Sequence, residues 1–454
     1  MTSTLQSGPV RGPRGWPLLG SLPAFARDPL GFFEHLRDDY GDWVDWSLGP
    51  RRSLLVSRPE QVGELLAGVE LSFGPGELGW AFRQVLGNGV VVATGPDWRR
   101  KRALVQPSVR PRQVRSYAGT MVECAAATAE GWADGRRVDV LREMTALTQR
   151  IAVRTLFGTE TAGREEAIAG AMAVAQHEIG AEFRGVTMFL PPWLSTPGRR
   201  RLRAAVVQLD EEIHRVIAEH REAAAAGEER DDLLGRLLAA RDEQGQPLSE
   251  QELRDESITL YIGGHETTST ALTWAWYLLG SAPEARARLD AELVEVLDGR
   301  LPTFDDYARL PWTQQVLKEA LRLYPPIWLV NVVAREGATL GGRPVPTGAT
   351  VWCSQWSVQR DARWFPDPAA FRPERWDPDA ADPVPDHAWF PFGGGQRTCL
   401  GARFALVEGA LVLAVLAQRF RVETDPGDPG VSTGLTLQPG RPILATLRAA
   451  SFAK

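Results

Sequence analysis

Cysteine is scarce in this sequence. Three occur in 454 residues, Cys124, Cys353 and Cys399, odd in number and far apart. That excludes a disulfide framework and points to a reducing compartment, with the cytoplasm as the expected location. Long hydrophobic runs are missing too: nowhere do roughly 18 apolar residues stand together, as a membrane span requires. The amino-terminal MTSTLQSGPVRGPRGWPLLG lacks the apolar core of about 7 to 15 residues that marks a secretory leader. No membrane anchor is therefore expected. Like charges never run to five or six, and the net charge of −6 mixes both signs, which excludes a nucleic-acid-binding arm or an acidic tail. The densest basic clusters, RRKR at 99–102 and RRRLR at 199–203, read as solvated faces. Arg99, Arg100 and Lys101 stay open to a second reading, as a docking face for an acidic protein. Fixed-period repeats are absent, and AAAAG at 223–227 is the one low-complexity stretch.

What is present is ordinary soluble usage, 44% apolar and 24% charged, enough to bury a sizeable core without crosslinks. Between about residue 110 and residue 330, apolar positions recur at helical spacing, as in VVQLDEEIHRVIAEH. Extended signals lie outside that region, at 42–57, 340–353 and 432–447, where alternation and β-branched residues meet turn-forming Gly and Pro. Pairing of early strands with late ones predicts a small sheet built from both ends, and no Pro/Ser-rich linker separates two halves. The expected fold is therefore one domain, 1–454, mainly α with a small β-rich region (α+β), and a monomer. The longest helix is predicted from Ser249, where S-E-Q-E makes a capping box with Glu252, to the stop at Pro283. At 1.5 Å per residue it spans roughly 50 Å, a central strut.

Inside that strut lies GGHETTST, 263–270. Paired glycines cost a helix interior about 1 kcal/mol each, and Thr267 is placed to bond back to the Gly263 carbonyl. Two readings fit: a groove beside a carboxylate, Glu266, and a hydroxyl, Thr267, suited to proton relay, or a close helix crossing that uses glycine for room. His265 reads as an ordinary buried or loop-facing histidine. In EALR, Glu319 and Arg322 sit at i and i+3, where a surface ion pair is the plain reading; Arg375 in FRPERW can complete a Glu-Arg-Arg network. In DWRRKR, Trp98 and Arg102 share a helix face and offer two donors suited to a carboxylate, or mark a half-buried Trp on a helix surface. Finally FGGGQRTCLG, 392–401, sets Arg397 two residues before Cys399 in a glycine-rich loop whose amides can approach a thiolate.

Zinc is a poor match to three distant cysteines and six histidines without H-E-x-x-H or C-x-x-C spacing. One thiolate, carboxylate-binding donors and a distal proton relay suggest haem with an open position opposite the sulfur. The sequence resembles the cytochrome P-450 monooxygenases over nearly its whole length. FGGGQRTCLG fits that family's F-x-x-G-x-R-x-C-x-G loop at every fixed position, GGHET its oxygen-binding helix motif, EALR its E-x-x-R, FRPERW its proline-arginine-aromatic segment, and WRRKR its propionate helix.

The resemblance implies a P-450 fold with the long helix crossing above the haem. It also implies haem (heme b) with Cys399 as axial ligand, Phe392 shielding the sulfur, and Gly401 giving the loop backbone room. Arg397, Trp98 and Arg102 would face the propionates, Glu319, Arg322 and Arg375 would form a structural triad, and Glu266 and Thr267 would deliver protons to dioxygen. One departure stands out: Val332 occupies the position where many members carry a propionate-binding arginine, with Arg335 as a substitute in another register. Similarity to soluble bacterial members implies electrons from a separate ferredoxin and its NAD(P)H-dependent reductase. The family's pocket segments map to Phe73, Trp80, Phe82, Val91, Phe183, Tyr261, Ile262, Ile327, Trp328, Leu329 and Leu435, each equally readable as core. An apolar lining predicts a lipophilic substrate, such as a terpenoid, fatty acid or polyketide, hydroxylated or epoxidised in secondary metabolism. MFLPPWLSTPG, 188–198, reads as a lid or a proline-stiffened connector. The rival functions are a peroxide-driven haem-thiolate peroxygenase and a non-catalytic haem-binding sensor. The Glu266-Thr267 pair argues against both.

Overall fold

Alternation in WVDWSL and RRSLLV becomes a hairpin, β1 (Trp43–Leu48) and β2 (Arg51–Val56), turned at Gly49 with φ 61°. It is the start of a five-stranded sheet in the computed structural model, which describes residues 12–76, 80–158, 165–184, 190–191, 193–228 and 230–450. Side chains of 165, 166, 183 and 184 fall outside that description. The chain divides into two compact units: Met1–Glu77 with Ile327–Ala370 and Val384–Thr398, and Leu78–Pro326 with Phe371–Pro383 and Cys399–Lys454.

The first unit holds that sheet. Adding β3 (Phe73–Pro75), β4 (Val330–Ala334) and β5 (Thr350–Cys353) gives the order β1-β2-β5-β4-β3, with β2 and β5 parallel and the other neighbours antiparallel. Early strands thus pair with late ones, as the sequence predicts. One face packs on helix α1 (Pro59–Ala67) through Val56, Val62, Leu65, Leu340 and Val351, all fully buried. At the end of α1 the glycine-rich loop comes in close. Gly395 has φ 62°, and a Cβ there would lie 2.2 Å from the Leu66 carbonyl oxygen.

The second unit is helical. Its principal members are α2 (Trp80–Leu86), α3 (Gly95–Val105), α4 (Pro111–Glu130), α5 (Val140–Phe157), α6 (Glu165–Arg184), α7 (Pro197–Ala225), α8 (Glu250–Gly280), α9 (Pro311–Leu323) and α10 (Ala402–Arg419). The strut is α8, 31 residues long and capped as predicted: Ser249 Oγ accepts from Glu252 N at 3.3 Å, and Ser249 N donates to the Glu252 carboxylate at 2.8 Å. It ends at Gly280, and Pro283 opens the next helix. Most of its residues are buried, so its polar side chains must find protein partners. Helix α5 packs along it, α9 and α10 also lie against it, α6 packs on α7, and α10 packs on α4.

The carboxy-terminal strands depart from expectation. Leu444–Ala449 pairs on one side with Phe420–Thr424 and on the other with Arg137–Asp139 from the middle of the chain, not with the amino-terminal strands. The small hairpin Val431–Thr433/Leu437–Pro439 is pinned to α8 by Trp274, which donates Nε1 to the Leu437 carbonyl at 2.8 Å and stacks on Tyr324 at 3.8 Å. This contact sets Thr436 and Gln438 beside the helix.

Gly395→Ala combines a left-handed backbone with a backbone clash and should cost at least about 1 kcal/mol. It should lower the thermal midpoint, read by circular dichroism, whereas Gly170→Ala, helical with open space at its Cβ, should leave the midpoint unchanged or raise it.

Candidate active site

Three cysteines have three environments that differ in what they allow. Cys124 and Cys353 are fully buried, and burial pushes the Cys353 thiol up to about 12. Cys399 is exposed. Protein atoms crowd the rest of its surroundings, so desolvation still raises the thiol; the Gly401 and Ala402 amides and the charge of Arg102 pull the other way. Gly401 caps α10, and a Cβ there would stand 3.9 Å from Sγ, an ordinary contact. Helix α10 thus starts by aiming two amides at one sulfur.

On α3, Trp98 is buried against Val90, Ala93 and Leu400, with the Arg102 guanidinium 5.8 Å from its ring. The half-buried reading of Trp98 is thereby corrected. The basic run around it is not a solvated face either. Lys101 is buried and bonds the Asn88 carbonyl and Asp97, while Arg100 pairs with Asp242 and Glu252 at 2.7 Å. Among Arg99, Arg100 and Lys101, Arg99 alone is exposed. Arg199 of the second basic cluster is likewise buried, bonded to Glu182 and to the Pro191 and Leu194 carbonyls.

Glu319 and Arg322 are both fully buried, which overturns the surface ion pair as a reading. The Glu319 carboxylate accepts from Arg322 Nε (2.9 Å) and Nη2 (2.8 Å), Arg375 Nε (3.3 Å), Trp376 Nε1 (2.9 Å) and the Arg372 amide (3.1 Å). Trp376 and the Arg372 amide are partners that motif reading misses. The desolvation of this carboxylate is offset only because donors surround it.

In the first unit, Arg397 donates Nε to the buried Glu70 carboxylate at 2.9 Å, and Arg335 donates to the Glu70 carbonyl at 2.8 Å. Val332 is buried in β4 opposite Val351. Two arginines thus gather around one carboxylate, whose own backbone holds φ 75°. Phe392 is half-buried, edge-on to Trp389 at 6.1 Å.

On α8, Thr267 Oγ1 donates to the Gly263 carbonyl at 2.8 Å and Thr268 to Gly264 at 2.9 Å. A Cβ built on Gly263 or Gly264 meets nothing within 4 Å, so the close helix crossing is excluded as the reason for the glycines. Glu266 is buried, and burial pushes its carboxyl up to about 7 against hydrogen bonding from Thr436. His265 is a buried histidine, lowered to about 4 by burial. Two further acids went unread in the sequence. Glu256 accepts from the Val90 amide at 3.1 Å and is raised by burial to about 7. Glu408 of α10 is fully buried facing Thr268, with its pKa well above the carboxylate range.

The cytochrome P450 family model matches residues 10–443, across both units. The chain belongs to the cytochrome P450 family. It is 38% identical over 441 residues to cyclooctatin synthase of Streptomyces melanosporofaciens, covering 95% of this chain and 94% of that one. It is 36% identical over 422 residues to cyclooctat-9-en-7-ol 5-monooxygenase of the same organism, covering 91% and 90%. With pentalenene oxygenase of Streptomyces avermitilis it shares 34% over 417 residues, 91% of each. It is a P450 monooxygenase, and its helices and small sheets are the α+β fold of that family.

The family implies haem with a thiolate-ligated iron, and the residues of this P450 fit such a group. One thiol of three is accessible, with two amides on its sulfur. Among the described residues no three His, Cys, Asp or Glu side chains gather as around a bare ion, so the sulfur suits a metal that brings its other ligands with it. The open glycine face of α8 offers room without side chains.

The pocket candidates scatter. Phe73 is in the core of the first unit, where Ile327 and Leu329 are half-buried and Trp328 is buried. In the second unit Phe82 and Ile262 are buried, and Tyr261 is fully buried against His265 at 4.6 Å. Trp80 lies under the Arg199 and Arg203 guanidinia, Leu435 is half-buried, and Val91 is 51% exposed. The Phe183 side chain, with part of the 188–198 connector, lies outside the described residues. No helix among the described residues is long and apolar enough to cross a membrane.

Glu319→Ala leaves Arg322 buried without its carboxylate and should cost about 3 to 5 kcal/mol, seen as a lowered thermal midpoint or loss of soluble protein. Glu266 generates a pH effect of definite sign. Its folded pKa near 7 exceeds the ordinary 4.5, so ionisation favours the unfolded chain and stability falls between about pH 4.5 and 7, by roughly 3 kcal/mol at most. Glu266→Gln should remove that loss, so the variant's midpoint should gain on the parent as pH rises through this window. Parallel curves would contradict it.

Proposed function

We propose that this P450 uses dioxygen and electrons from a separate ferredoxin and its NAD(P)H-dependent reductase to hydroxylate a terpenoid, Cys399 holding the haem b iron. That the two units make one catalytic domain is part of the proposal. The observation that carries it is on α8: a buried acid, Glu266, one residue from a hydroxyl, Thr267, beside two glycines with open space.

Bound at Cys399, haem supplies dioxygen activation and the oxidising equivalent for a C–H bond. The Gly401 and Ala402 amides would moderate how much charge the sulfur donates, and Trp98 and Arg102 of the second unit and Arg397 of the first would supply donors for its carboxylates. Glu266 is poised at neutral pH to hold or release a proton. Thr267 Oγ1, its hydrogen given to Gly263, presents lone pairs that can accept one. A peroxide-driven reaction or a sensor has no need of this pair. Terpenoid substrates are supported by the relatives named for cyclooctat-9-en-7-ol and pentalenene oxygenation and by the apolar character of the candidate lining.

The reduced carbon-monoxide complex should show the red-shifted Soret band of thiolate ligation, lost in Cys399→Ser. Thr267→Ala should lower product per electron by about tenfold or more while electron use continues. Terpenoid hydrocarbons and alcohols should shift the resting spectrum to high spin. A shift with fatty acids and none with terpenoids would replace the substrate class.

A further inference from the structure

The Glu266 carboxyl is held by neutral groups from two elements besides its own. Gln176 of α6 donates Nε2 to Oε2 at 2.9 Å, Thr436 donates Oγ1 to Oε1 at 2.8 Å, and Gln438 Nε2 stands 3.5 Å from Oε1. The Gln176 amide nitrogen also lies 3.1 Å from His265 Nε2. An amide nitrogen only donates, so His265 Nε2 must accept, and its hydrogen is on Nδ1, donated to the Tyr261 carbonyl at 2.7 Å. Every hydrogen in the chain Tyr261–His265–Gln176–Glu266 then has one direction. Charged neighbours are occupied elsewhere: on α6, Glu178 pairs with Arg201 at 2.7 Å and with His177 at 3.3 Å, while Glu408 of α10 faces Thr268. Helix α5 meets α8 here through the Thr148 hydroxyl, bonded to the His265 carbonyl at 3.1 Å.

We infer that Gln176 is the positioning residue for Glu266: its two amide hydrogens, one locked on His265, fix the carboxyl on α8 in a single orientation, with Thr436 as the second anchor. Gln176 does not itself carry the proton, since it meets Glu266 through an amide nitrogen whose lone pair is delocalised into its carbonyl. Half-exposed on α6, it ties the orientation of the acid to the placement of a second helix. Its consequence for turnover rests on the reading of Glu266 as proton donor.

The test uses the purified holoenzyme and two readouts. The infrared band of the protonated carboxyl, assigned by its loss in Glu266→Gln, is titrated in parent, Gln176→Leu, Gln176→Ala, Thr436→Val and Thr436→Ser. Each lost donor favoured the ionised form, so Gln176→Leu, Gln176→Ala and Thr436→Val should raise the midpoint by about one pH unit, whereas Thr436→Ser, which keeps the hydroxyl, should not move it. Product per electron should fall in the same three variants and have its pH profile displaced in the same direction. Unmoved midpoints in both Gln176 variants, with the Glu266 band present, overturn the inference. Full coupling in Glu266→Gln overturns the donor reading instead, and the infrared midpoints then decide the positioning claim alone.

Discussion

A carboxylate with no water on any side must be answered entirely by protein donors, and the second unit depends on how Glu319 is answered. Two guanidinia, an indole and a backbone amide converge on it, three of these partners from the turn at 372–376. The carboxylate therefore fastens that turn to α9. Helices α8 and α10 both pack on α9. One carries the acid and the hydroxyl; the other begins three residues past Cys399, with its cap and first amides aimed at the sulfur. Both helices are thus referenced to one buried carboxylate, whose removal takes from Arg322 and Arg375 the acceptor they share.

The remaining buried acids meet the same constraint differently. Glu319 lies among guanidinium, indole and amide donors, while Glu266, Glu256 and Glu408 have few or no cations close by and are pushed toward the neutral form. Neutrality makes them useful in different ways. Glu256 receives the Val90 amide and so ties the segment ahead of α3 to α8. Glu408 is buried near Thr268, whose own hydrogen is spent on Gly264. Only Glu266 combines a near-neutral pKa with a place beside the open glycine face.

What the sequence made legible was local or motif-bound. The Ser249 cap, the Thr267 back-bond and the β1–β2 hairpin follow from neighbours a few residues apart, and the haem loop and Glu-Arg pair follow from fixed spacings. Illegible were the features that depend on which distant segment arrives. Lys101 looks solvated in RRKR, yet the turn at Asn88 buries it. Alternation marked an extended segment at 432–447, but nothing in it says that residues 137–139 supply a partner for the strand that begins at Leu444. Gln176 was one of three consecutive polar residues, QHE, with nothing to mark it out, and Glu70 stood 327 residues from Arg397. Long-range polar pairs carry no periodicity, so only the folded chain reveals them.

The hydroxyls of α8 have one more consequence. Thr267, Thr268 and Thr273 each give their hydrogen to the carbonyl four residues back, so along this helix every such hydrogen points toward the amino terminus. The face acquires a sense, like a row of turnstiles set the same way. A group arriving at Thr267 meets an oxygen ready to take a hydrogen. To return one, the helix must first open a bond of its own.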